Sequence, residues 1–121
     1  MIEVFDEDGE TTVDLMAWPL DKPDQFACAL GRADGLGLWQ VRNPATYFAG
    51  RPLQVWRTPL AWLQASCLGA VVFDTSSARS WLSAAPGLIA GQDIAHARGL
   101  ARLLHPFVEP TRILAPLREA A

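Results

Sequence analysis

Apolar and polar positions change rhythm along the chain. Ile2 to Phe5 is rich in strand formers, Asp8-Gly9 is a strong turn dipeptide, and Thr11 to Trp18 returns with β-branched and apolar residues. That pattern predicts a β-hairpin whose second strand ends at Pro19. In "DKPDQFACALGRADG" the rhythm turns helical. Asp21 or Lys22 is placed to cap, Pro23 sits at the first helical position, and Phe26, Ala29, Leu30 and Ala33 form one stripe before Gly35. "LGLWQV" is a short strand candidate, and "RNPATYFAGRP" is a loop with a helical turn.

From Leu53 onward strands and helices alternate. "LQVW" reads as a strand. Thr58 then caps a helix that begins at Pro59 and stops by Gly69. "AVVF" is a buried-strand run, and Asp74 to Ser77 supply caps for a helix through Trp81 and Leu82. "GLIA" is a third strand, Asp93 caps "IAHARGLARLL" before Pro106, and "RILAP" is a last short strand. Strands separated by helices of about ten residues imply right-handed crossovers and parallel pairing. The expected fold is α/β: a small, mostly parallel sheet flanked by helices, with an N-terminal β-hairpin. At 121 residues it forms one domain, residues 1–50 giving a hairpin-helix-strand part and 51–121 a βαβ part.

Composition narrows the function classes. Half of the chain is hydrophobic, enough for a core, yet no apolar run reaches the roughly 18–20 residues of a membrane span. The start "MIEVFDEDGE" is acidic where a signal peptide is basic and then apolar, so a soluble, cytoplasmic protein is expected. Cys28 and Cys67 are too few for a disulfide framework or a zinc site, and their apolar, helix-like surroundings predict buried free thiols. The net charge of −3 conceals an asymmetry. Met1 to Asp24 holds eight acids against Lys22 alone, and the remainder holds five acids and nine arginines. A basic larger part attracts phosphates, although no arginine cluster is dense enough to form a stripe.

Most candidate chemistry dissolves on inspection. "DEDGE" has the look of a calcium loop, but counting from Asp6 puts Thr11 where glycine is required and Ala17 where the closing acid belongs. "VVFDTSS" is similar to the nucleophile strand of haloacid dehalogenase phosphatases, which would make Asp74 the nucleophile. Ser76 stands where the second aspartate is needed, so Asp74 is better read as a helix cap. His96 and His105 have no second ligand at metal spacing, and His105 near a helix carboxyl end suits the macrodipole. "GRADGLG" does not lie between a strand and a helix, so it is no phosphate loop, and neither a cofactor nor a metal is expected. Five tryptophans are read mainly as packing, with one or two exposed rings left to stack on bases or a partner.

"RPLQVWRTPLAWLQASCLGAVVF" and "GLIAGQDIAHARGLARLL" are similar in order, spacing and apolar pattern to a toprim domain, the fold shared by primases and type IA and II topoisomerases. The resemblance covers Arg51 to about Leu104. In that family a first strand delivers a glutamate and a third ends in an Asp-x-Asp pair, acids that hold magnesium. Here the glutamate position falls at Trp56 or Arg57, and the pair at Gly91 and Asp93. The resemblance therefore implies a degenerate, non-catalytic member, of the kind found beside mobile-element primases in plasmid or phage replication. Such a module would contact a partner protein or nucleic acid through its strand ends. Arg57, Arg42 and Arg51 are candidate contacts, and Asp93 and Asp74 the acids nearest the site. Arg57 is expected to pair with Asp93 or to hold a phosphate. Two other readings stand beside it: a metal-dependent phosphotransfer enzyme using Asp74 and Asp93, and a homodimeric interaction module using the acidic hairpin and exposed tryptophans.

Overall fold

Pairing of the first two strands follows from their β-rich composition. In the computed structural model, which describes residues 2–5, 12–19, 21–28 and 33–116, β1 (Ile2–Phe5) and β2 (Thr12–Ala17) are antiparallel, with a register shift between Val4 and Phe5. The Asp8-Gly9 turn lies outside the described residues. On the other edge of β2 lies β3 (Ala27–Cys28), where a helix was expected. Pro19 and Lys22 carbonyls accept from Lys22 and Gln25 to make turns instead. A helix so short is marginal alone, and the open edge of β2 offers Ala27 and Cys28 backbone partners at once.

The expected strand over "LGLWQV" is also shorter. Only β4 (Gly35–Leu36) pairs, antiparallel to a later strand, and Leu38–Gln40 forms a 3₁₀ turn. Gly37 makes that switch with φ of 67°, and a Cβ there would lie 2.2 Å from the Gly69 carbonyl oxygen. Glycine alone meets both conditions.

In the second half each cap falls where its side-chain oxygen precedes a helix. The strands are β5 (Leu53–Gln54), β6 (Val71–Val72), β7 (Ile89–Ala90) and β8 (Ile113–Leu114). Between them lie α1 (Pro59–Gln64), α2 (Thr75–Leu82) and α3 (Ile94–Leu104), capped by Thr58, Asp74 and Asp93. Of the three sheets, only β5-β7-β8 is parallel; β1-β2-β3 and β4-β6 are antiparallel. The sheet is thus less parallel than expected, because the N-terminal half supplies antiparallel partners and the later strands are two residues long. A parallel bridge between Val55 and Ala70 sets β6 beside β5. The chain therefore steps from β5 to one neighbour, β6, and then back across to the other, β7.

Alternation along these strands feeds two cores. Leu53, Val55, Ala70 and Ile89 pack with Ala78 and Leu82 of α2 and Leu100 and Leu104 of α3. Val71 and Leu36 instead join Trp62 of α1 and Val4 and Met16 of the hairpin. Val72 packs against the first cluster and Phe73 against the second, so consecutive residues of one strand serve opposite layers.

Candidate functional site

Where the strand order reverses, the carboxyl ends of β5 and β7 open a crevice, the usual ligand position in open α/β sheets. Arg57 leaves β5 there, and Gln92 and Asp93 leave β7. These groups close a ring of hydrogen bonds with His96 on the first turn of α3. The Arg57 amide donates to Gln92 Oε1 at 3.0 Å, and the Gln92 amide donates to His96 Nδ1 at 2.9 Å. The His96 amide donates to Asp93 Oδ1 at 2.8 Å, which is the cap of α3. Arg57 completes the ring by gripping both Asp93 oxygens, Nη2 reaching Oδ1 at 2.9 Å and Nη1 bonding Oδ2.

Charge follows from this geometry. Hydrogen bonding from Arg57, then from the His96 amide, holds the Asp93 carboxyl down at about 2 from an ordinary 3.8. Asp93 is ionised throughout the physiological range. Burial first, and the Arg57 charge second, pull the His96 imidazole below its ordinary value, with Asp93 opposing. His96 is therefore neutral near pH 7. Because Nδ1 accepts the Gln92 N–H, the ring proton belongs on Nε2.

Asp74 follows β6 and caps α2 on the same cleft, a cavity of about 470 Å³ lined also by Arg57 and His96. Its Oδ1 accepts the Ser77 amide at 2.8 Å and its Oδ2 the Ser77 hydroxyl at 3.1 Å. Asp34 braces α2 from outside, accepting from Trp81 Nε1 at 3.1 Å, with its Oδ1 lying 3.3 Å from the same Ser77 hydroxyl, whose one proton it shares with Asp74. Three of the five residues singled out in the sequence thus meet at one cleft: Arg57 and Asp74 line it, and Asp93 is bonded to Arg57. Arg42 and Arg51 do not join them. The Arg42 guanidinium lies 5.7 Å from the Trp81 ring centre, and Arg51 borders a separate hollow with Gln40, Thr46 and Leu68.

The donor set does not suit the magnesium that the toprim resemblance would imply. Asp93 is committed to a guanidinium and Asp74 to its helix cap. Among the described residues no three His, Cys, Asp or Glu side chains gather as ligands.

Two further expectations are corrected. None of the five tryptophans is an exposed ring: Trp62 is 5 % exposed, and the others are half-buried against the two cores. Their ring N–H groups explain part of this, since Trp56 and Trp62 donate to the Leu68 and Gly69 carbonyls. The cysteines are free, as expected, but neither is helical or fully buried. Cys28 is in β3 and Cys67 in the turn after α1, at φ of 61°.

The sequence singles out no role for Gln92, and weighs His96 only as a metal ligand. The available signal was positional: His96 stands three residues after the cap Asp93, where a side chain reaches back over the helix start as in a capping box. No helix of the described residues is long and apolar enough to cross a membrane. No protein-family model, curated protein or solved structure matches the chain.

Proposed function

We propose that this chain is a non-catalytic, toprim-like binding module that meets a partner protein or nucleic acid at the carboxyl ends of its parallel strands. The observation that carries the reading is the two-point grip of Arg57 on Asp93 at the switch point. A carboxylate there would supply a metal ligand. A guanidinium instead fixes the one remaining acid and leaves other N–H groups facing solvent. The phosphotransfer alternative needs a third acid beside Asp74 and Asp93, and among the described residues no three His, Cys, Asp or Glu side chains gather as ligands. The dimer alternative loses the exposed tryptophans on which it leaned. A replication setting in a plasmid or phage belongs to the resemblance.

Fluorescence anisotropy with single-stranded DNA at two salt concentrations tests the nucleic-acid form. Binding that weakens with salt, and weakens further in Arg57→Ala, is the expected result. No affinity at low salt rules out nucleic acid as the partner.

A further inference from the structure

The strand-end cleft carries two opposite charges, each already fixed by bonds within the fold. Arg57 grips Asp93 end-on through Nη1 and Nη2, and it lines the cavity while Asp93 does not. That grip leaves Nε–H and an outer terminal N–H as a second fork, of the kind that fits a carboxylate. No group among the described residues takes it. His96 adds a donor to the same cavity, because its Nδ1 holds the Gln92 amide and Nε2–H remains. Asp74 enters from another element, the start of α2. Its two oxygens accept from the Ser77 amide and hydroxyl, and each keeps a further lone pair.

Beside these groups the lining supplies apolar side chains: Val55, Phe73, Ala78, Leu100 and Leu103. Gly99 adds room, since a Cβ built on it meets nothing within 4 Å. A ligand that is only an anion would answer Arg57 and be repelled by Asp74. One that is only a cation would do the reverse, and an uncharged one would leave both charges unanswered. A zwitterion satisfies both through charge-assisted hydrogen bonds. We infer that the cleft binds a free α-amino acid with an apolar side chain. Its carboxylate takes the open Arg57 fork and His96 Nε2–H, its ammonium takes Asp74, and its hydrocarbon part lies on the apolar lining. A cavity of about 470 Å³ suits a ligand of that size held by a few polar groups. Arg57 and Asp74 are held in place beforehand, so little ordering is needed on binding. The inference goes beyond the binding-module reading, because it concerns a small ligand and not the macromolecule that docks at the strand ends.

The test titrates leucine into the isotope-labelled full chain, followed by NMR, beside glycine, isocaproate (leucine without its amine) and isoamylamine (leucine without its carboxylate). Leucine should shift the Gly99 and Gln92 amides, the Arg57 Nε–H and the His96 ring. Each truncated analogue should bind at least about tenfold more weakly, the loss of one charged hydrogen bond, and glycine should also bind more weakly than leucine. Asp74→Asn keeps a capping side chain and should bring leucine down to the level of isocaproate. Arg57→Gln should bring it down to the level of isoamylamine. No shift with millimolar leucine overturns the inference, as does leucine binding no more tightly than either analogue. Equal binding of glycine and leucine, or undiminished leucine binding by Asp74→Asn, also overturns it. Single-stranded DNA added to the same samples separates this inference from the binding-module reading. Leucine binding without DNA binding upholds the site and removes nucleic acid as the partner, and DNA binding without leucine binding does the opposite.

Discussion

Arg57 and Asp93 hold each other at the surface, with side chains 43 % and 36 % exposed. Exposed pairs add little to stability, so the pair matters for where it sits and what it occupies. Asp93 nonetheless links folding to acid. Its folded value lies below the ordinary 3.8, near 2, so the unfolded chain binds the proton more readily. The stability it supplies is complete above about pH 4 and is lost as pH falls towards 2. Urea midpoints for Asp93→Asn should therefore fall less steeply over that window than those of the wild type. An unchanged slope would contradict the bonding described. His96 acts in the same sense at higher pH. Its value is lowered from 6.5, so the unfolded chain again takes the proton first, and stability declines as pH drops below that point. Protonation must reach Nδ1 and displace the Gln92 N–H. An NMR titration should show the Gln92 amide moving together with the His96 ring.

Helix starts were the most legible elements. Thr58, Asp74 and Asp93 cap as read, because a side-chain oxygen accepting the amide three residues on is a local event. Strand ends and the stretch from Asp21 to Ala33 were not, because their outcome depends on distant partners: β3 forms on the edge of β2, and β4 on β6. The site was half legible. Arg57, Asp74 and Asp93 follow from strand ends and His96 from its place three residues after a cap, whereas the Gln92 side chain finds the Arg57 amide only once β5 and β7 lie side by side. Two glycine substitutions separate local from tertiary effects. Gly99→Ala, with open space before it, should raise stability by up to about 1 kcal/mol. Gly69→Ala meets φ of +100° and the Gln54 carbonyl oxygen 2.2 Å away, and should cost about 1–3 kcal/mol from backbone strain with the clash in addition. Chemical denaturation measures both.

Across the described residues the stretch through β6 is a shared wall between the two cores. Ala70 and Val72 face the helical core while Val71 and Phe73 face the hairpin core, so loss of either layer exposes the other. One cooperative unfolding transition is expected, with tryptophan fluorescence and far-ultraviolet circular dichroism coinciding. Leu82→Ala and Met16→Ala, fully buried on opposite layers, should each cost about 2–5 kcal/mol and shift that single transition. Separated transitions would contradict the shared wall. In the proposed binding module the Arg57 guanidinium holds Asp93 where a metal-dependent relative would hold a divalent cation. Calorimetric titration with manganese tests it most directly. No saturable binding is expected. A saturable site that disappears in both Asp93→Asn and Asp74→Asn would contradict it.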